Sequence, residues 1–163
     1  MRALVVGRFQ PLHVGHLRML EYVASREGTL VIGIGSANKS NTPDNPFTFE
    51  ERAEMVRKSV PFRNYEIAGI PDFGDDEKWV AWIKGNLKFD VAYTNSESER
   101  RIFEHAGIKV KEIPFFEREK YSAVEVRSRI AGGMEWKRMV PHETLEVLAK
   151  VNGVERIRQL DQP

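Results

Sequence analysis

The sequence predicts an α/β fold: a doubly wound parallel sheet with helices on both faces and a small helical part at the C-terminus. Three observations predict it. Short continuous apolar runs alternate with segments of helical period, which is the pattern of βαβ units. Several runs are rich in Val, Ile and Leu without polar alternation, as strands buried on both faces are. The runs end in turn-forming stretches, Gly35-Ser36-Ala37-Asn38, Gly69-Ile70-Pro71-Asp72 and Thr94-Asn95-Ser96, and in such a sheet the ligand site lies outside the carboxyl ends of the strands.

In chain order, strands are expected over residues 2–7, 29–35, 65–69, 91–94 and 109–114. Between them, 15–26, 48–59, 77–87 and 97–105 carry the helical pattern. Two further helices are expected over 122–131, stopped by Gly132-Gly133, and over 141–151. Thr48-Phe49-Glu50-Glu51 and Ser122-Ala123-Val124-Glu125 both match the capping box that starts a helix. The long segment 36–47, rich in Asn, Ser and Pro, is of a length that is often functional inside a compact domain. From about Val154 the sequence reads as a charged tail without a legible role. The 163 residues are expected to form one domain, an αβ core to about residue 120 and C-terminal helices over about 121–163.

Composition narrows the function. With 41% hydrophobic and 30% charged residues the chain is of ordinary globular composition. A formal charge of +1, from 25 Lys and Arg against 24 Asp and Glu, argues against a nucleic acid partner, so any anion site must be built from local positive groups. Cysteine is absent, which excludes disulfides, thiolate metal sites and cysteine nucleophiles. No leader pattern opens the chain and no run is long enough to span a bilayer, so a cytoplasmic protein with no membrane partner is expected.

The chemistry concentrates behind the first strand, in Gly7-Arg8-Phe9-Gln10-Pro11-Leu12-His13-Val14-Gly15-His16. The chain holds four histidines, and two of them stand here three residues apart, with Gly15 between them to allow close backbone approach. At the start of a helix both rings can face the volume at which the helix amides point, beside Arg8, and stabilise charge on a transferred phosphoryl group. A pair of capping or packed histidines is the structural alternative. As a metal site the pair is poor, because His105 and His142 lie far along the chain and no third ligand has supporting spacing. Arg52 and Arg127 each follow a helix start and could close on a triphosphate as forks, although surface arginines are common. Trp79 and Trp82 share a helix; core packing suits Trp82, whereas Trp79, near the helix start and behind the acidic loop 72–77, suits base stacking equally well. Phe115-Phe116 reads as core. A Walker A motif and a Gly-x-Gly-x-x-Gly after a strand are both missing, which disfavours a P-loop nucleotidase and a dehydrogenase.

The decapeptide resembles the HxGH signature of the nucleotidyltransferase superfamily. Its full form, Gly-Arg-Phe-Gln-Pro-x-His-x-Gly-His, is similar to that of the archaeal-type nicotinamide-nucleotide (NMN) adenylyltransferases. The resemblance continues through Gly35-Ser36-Ala37, Asn45-Pro46-Phe47-Thr48, Glu51-Arg52, Trp79-Val80, Tyr121-Ser122, Glu125-Val126-Arg127 and Asn152-Gly153-Val154-Glu155-Arg156-Ile157, nearly the whole chain. It implies a Rossmann-like fold and transfer of AMP from ATP to NMN, giving NAD+ and pyrophosphate, with Mg²⁺ accompanying ATP. It also implies a homo-oligomer, commonly hexameric. By motif, Arg8, His13, His16 and Arg127 would be catalytic on the ATP phosphates, and Gly7, Phe9, Gly15, Asn95 and Ser122 would complete the ATP site. Ser36, Asn38, Arg52 and Trp79 would serve NMN, Arg52 as a phosphate contact. Val124 stands where the family often has Thr, which removes a hydroxyl contact. Nicotinic acid mononucleotide remains open as acceptor beside NMN. Other HxGH transferases, acting on phosphopantetheine, a flavin or glycerol phosphate, and a non-catalytic nucleotide sensor are the rival readings.

The decapeptide holds no carboxylate. A phosphomonoester, with a second pKa of about 6, is already deprotonated at neutral pH and needs no general base, so the composition suits a phosphate acceptor.

Overall fold

A computed structural model describes residues 1–116 and 121–162. The expected boundary between core and C-terminal helices, near residue 120, lies outside the described residues. Five strands, β1 (Arg2–Gly7), β2 (Thr29–Ile34), β3 (Tyr65–Gly69), β4 (Val91–Thr94) and β5 (Val110–Glu112), form one parallel sheet in the order β3-β2-β1-β4-β5. The order reverses between β1 and β4, which makes that crevice the switch point of the sheet.

The alternation of strand side chains divides the core into two layers. Ala3 and Val5 of β1, Leu30, Ile32 and Ile34 of β2, and Val91 and Tyr93 of β4 pack on one face with α1 (Val14–Ala24) and α2 (Phe49–Ser59). Leu4, Val31 and Ala92 pack on the other with α3 (Asp76–Asn86) and α4 (Glu97–His105). Burying each Val, Leu or Ile contributes roughly 1.5–3 kcal/mol, so both faces of the central strands favour one register over a one-residue slip. The doubly wound parallel architecture expected from the apolar runs is thus present.

Helix starts follow local chemistry. Thr48 caps α2 in a complete box, its hydroxyl accepting from the Glu51 N–H and Glu51 accepting from the Thr48 N–H. Ser122 caps α5 (Ala123–Ala131), while the Glu125 carboxylate turns instead to Arg129 at 2.9 Å. Asp75 and Ser96 cap α3 and α4.

Two expectations need correction. Residues 109–114 form a shorter strand, β5, because it is an edge strand and Pro114 has no N–H to extend the ladder. The charged tail is no tail: after α6 (His142–Lys150), Gly153–Leu160 forms α7, which packs on α5 and α6. Its Arg156 returns to α2, making a two-pronged bridge to Glu51 at 2.6 and 2.8 Å and lying over the Phe47 ring. Of the charges that make the segment look solvated on paper, Arg156 is spent on this dock and Arg158 donates to the Ile130 carbonyl at 3.1 Å. No helix among the described residues is long and apolar enough to cross a membrane.

Candidate active site at the carboxyl ends of the strands

The chain leaves β1 through a turn that the sequence makes unusual. Phe9 takes a left-handed conformation, φ 52°, and its ring lies so close to Gly7 that a Cβ there would sit 2.8 Å from the ring. Gln10, 1% exposed, then ties the turn to the segment before α2, donating to the Phe47 carbonyl at 3.2 Å and accepting from the Phe47 N–H at 2.9 Å.

His13 is the N-cap of α1 and His16 is its third residue. Each Nδ1 accepts the other's backbone N–H, His16 N–H to His13 at 3.2 Å and His13 N–H to His16 at 3.1 Å. The rings stack with centroids 3.6 Å apart. Gly15 permits this, since a Cβ at that position would meet His13 Cε1 at 2.9 Å and Tyr121 Cβ at 3.0 Å. Capping and chemistry are therefore not alternatives. With both Nδ1 atoms accepting, the single proton of each neutral ring sits on Nε2, which is left to donate. Burial lowers His13 to about 4 and, together with the charge of His13, holds His16 well below its ordinary value. The pair presents two neutral N–H donors at neutral pH.

Arg8 is exposed, and its guanidinium has no hydrogen bond or ion pair with any described residue. Arg127, 8% exposed, gives one N–H to the Gln10 carbonyl at 2.9 Å, and its other N–H groups make no bond to any described residue. Burial, reinforced by the charge of Arg8, lowers Arg127. Two arginines, close enough to feel each other's charge, thus have donors to spare.

Arg52 departs from the expectation of a phosphate contact. It is 0% exposed, and its guanidinium donates to the carbonyls of Arg8 at 2.9 Å, Gly35 at 2.6 Å, Ser36 at 3.1 Å and Thr48 at 3.2 Å. Burial brings it down to about 10, still a cation at neutral pH. Four of its five N–H groups are engaged in clamping the ends of β1 and β2 to α2. Asn38 differs likewise: its amide exchanges two hydrogen bonds with the Asp72 backbone, 3.2 and 2.8 Å, and Lys39 bridges to the Asp72 carboxylate at 2.8 Å. These contacts fasten the long 36–47 segment to the β3–α3 loop.

Two cavities open beside the switch point. One, of about 390 Å³, is lined by Gly7 and Arg8, by Gly35 and Ser36, by Trp79 at the start of α3, and by Glu99 of α4. Trp79 is half-buried, stacks on Phe103 at 5.6 Å and lines the cavity. Trp82 packs against the α3–α4 core layer. The second, of about 540 Å³, lies at the ends of β4 and β5 and includes Tyr22, Asn95 and Phe115. Phe115 is thus not core but 56% exposed, because β5 has ended before it, while Phe116 packs edge-on to Tyr22. Val124 is exposed on α5 and lines a third hollow with Arg127 and Asp44. Among the described residues, no three His, Cys, Asp or Glu converge as a metal cluster.

The comparisons with known proteins agree with this geometry. A family model described as cytidylyltransferase-like matches residues 4–129. The nicotinamide-nucleotide adenylyltransferase of Thermococcus sibiricus is 39% identical over 98% of this chain and 89% of its own. That of Halorubrum lacusprofundi is 38% identical over 98% and 93%. The chain belongs to the nicotinamide-nucleotide adenylyltransferases. A solved structure, that of a bifunctional NMN adenylyltransferase/ADP ribose pyrophosphatase from Francisella tularensis complexed with AMP and a manganese ion, superposes with TM-score 0.77 at 22% identity. It matches 98% of this chain but 51% of its own, and at that identity it establishes the shared fold. For this adenylyltransferase family member, sequence reasoning missed Gln10 as the hub of the turn and Glu99 on the cavity wall. Ser96-x-x-Glu99 has the form of a capping box, which was the available signal for Glu99.

Proposed function

We infer that the chain transfers AMP from ATP to NMN, forming NAD+ and pyrophosphate, in the cytoplasm. A phosphate oxygen of NMN attacks the α-phosphorus of ATP, the bond from that phosphorus to the oxygen bridging toward the β-phosphate breaks, and pyrophosphate leaves with those electrons. No proton needs to be removed from the nucleophile. What the site must supply is alignment and N–H donors on the oxygens that gain charge. The observation that carries the reading is the stacked pair of neutral imidazoles whose Nε2–H groups make no bond to any described residue, together with two under-used arginines.

In this reading the Arg8, His13, His16 and Arg127 donors meet the ATP phosphates, with Gly7, Phe9, Gly15 and Ser122 shaping that mouth and Asn95 standing in the second cavity on the nucleoside side. Ser36 and Trp79 line the first cavity, which receives NMN; Asn38 and Arg52 hold its walls. A divalent ion accompanying ATP would supply positive charge to the leaving pyrophosphate, and no cluster of His, Cys, Asp or Glu among the described residues would hold it apart from the nucleotide.

The test is NAD+ formation from ATP, Mg²⁺ and NMN, followed by pyrophosphate release. His16→Ala is expected to lower kcat by on the order of 10²-fold, the scale for losing one preorganised donor, with a stability loss of about 1 kcal/mol from the broken cap. A folded variant with near-normal kcat would remove His16 from the chemistry.

A further inference from the structure

Within the cavity assigned above to NMN, Glu99 is the group the mechanism leaves unused. Its backbone starts α4 as a capping box would, the Glu99 N–H donating to the Ser96 hydroxyl at 3.3 Å. In a complete box its carboxylate would return to the Ser96 N–H, as Glu51 does for Thr48. Here the Thr94 hydroxyl has already taken the Ser96 N–H at 3.0 Å. The Glu99 carboxyl is thereby released from capping, and Glu99 forms part of the wall of the cavity that Trp79 also lines.

The cavity around it is unevenly charged. Arg8, at the end of β1, is the only cation among its described lining residues. Facing Glu99 from the β3–α3 segment are Asp72, Asp75 and Asp76. Asp72 is engaged by Lys39 at 2.8 Å, and Asp75 accepts the Lys78 N–H at 3.0 Å as the cap of α3. Among the described residues, no cation forms an ion pair with Glu99.

Resting on the proposed function, we propose that Glu99 is the residue that selects the pyridine ring, accepting the carboxamide N–H of NMN and repelling the carboxylate of nicotinic acid mononucleotide. The two acceptors share ribose, phosphate and a cationic pyridinium and differ only in amide against acid. A carboxylate on the wall attracts the pyridinium of both, hydrogen-bonds the amide of one and meets a like charge on the other. Burial pushes Glu99 up to about 7, against a weaker downward pull from the Thr94 hydroxyl. The repulsion therefore grows as Glu99 ionises. The nicotinate carboxylate is charged throughout this range, and the acceptor phosphate titrates alike in both substrates, so it cancels in their ratio.

The experiment measures kcat/KM for NMN and for nicotinic acid mononucleotide with the full chain at saturating ATP and Mg²⁺, from about pH 6 to pH 8. With a wall group near 7, the preference for NMN is expected to rise roughly tenfold across that range. In Glu99→Gln the preference at pH 8 falls by roughly tenfold, mostly through a gain for the acid with some loss for NMN, and its pH dependence disappears. A variant preference within threefold of the wild type overturns the proposal. If the variant does not fold, the wild-type profile decides alone, and a ratio that is flat with pH overturns it. Two further results separate the proposal from its foundation. Turnover of neither acceptor overturns the functional reading and this inference with it, and a Trp79→Ala variant with unchanged KM for NMN overturns the assignment of the cavity.

Discussion

Replacing Arg52 by Met tests whether the structure has the right job for this arginine. The guanidinium is fully buried and reaches three carbonyls on two segments beyond its own helix turn, those of Arg8, Gly35 and Ser36, at 2.9, 2.6 and 3.1 Å. Methionine fills much of the same space but strands three acceptors, at about 1–3 kcal/mol each where they remain buried. Against this stands the relief of no longer burying a cation, worth several kcal/mol in the other direction. Since the partners are neutral carbonyls no charge is stranded, and the balance of the two opposing effects is a loss of about 3 kcal/mol. For a chain of this length that lowers Tm by roughly 10 °C. Arg52→Lys should recover little, because an ammonium cannot serve divergent carbonyls as a planar fork does.

The assay is urea and thermal unfolding without ligand, followed by steady-state kinetics on whatever remains folded. A phosphate contact would behave in the opposite way: in the absence of nucleotide its removal would relieve repulsion from Arg8 and leave stability unchanged or higher, while KM for a substrate rose. Ligand-free stability within about 1 kcal/mol of wild type, with a KM raised tenfold or more, would therefore refute the clamp.

Trp79→Ala is expected to raise KM for NMN by roughly tenfold, the scale of a lost stacking contact, and to leave KM for ATP within twofold. Equal losses for both substrates with a lower Tm would mark it as packing on Phe103. The histidine pair predicts acid sensitivity: with His13 lowered to about 4, the folded state holds fewer protons than the unfolded state below about pH 6.5, so stability falls by about 1.5 kcal/mol from pH 6.5 to pH 5, and His16 adds to the loss. Glu99, raised to about 7, offsets this with the opposite sign, so in urea titrations Glu99→Gln should lose more stability across that window than the wild type; equal slopes would refute one of the two burials.

The sheet and most helices were legible because burial on both faces leaves a direct trace, a continuous apolar run, and because Thr48, Ser122 and Gly132 punctuate helices locally. The ends of elements were not. Nothing near Lys109 tells that the last strand pairs on one side only, and nothing near Val154 tells that Arg156 will meet Glu51, 105 positions away. At the site, residue type was legible and employment was not. An arginine behind a capping box has the same local sequence whether it turns toward solvent or, as Arg52 does, toward three carbonyls from other segments. Gln10 was passed over for the same reason, since its value lies in the distant Phe47 backbone. His13 and His16 were found because the acceptor, the donor and the glycine that lets them meet all fall within four residues.

The distribution of charge gives the site a direction. In the proposed reading the phosphate end is made of neutral imidazole donors and two arginines, Arg8 and Arg127, that repel each other and are only partly offset by the charges of Asp72 and Asp44, an arrangement that a polyanion would relieve. The first cavity runs the other way, from Arg8 at its mouth to Asp75, Asp76 and Glu99 on its walls. A mononucleotide with a cationic ring at one end and a phosphate at the other fits that gradient in one orientation only, ring inward and phosphate toward Arg8. An acceptor carrying its negative charge on the ring as well would work against the same gradient, as the proposed selection of amide over acid requires.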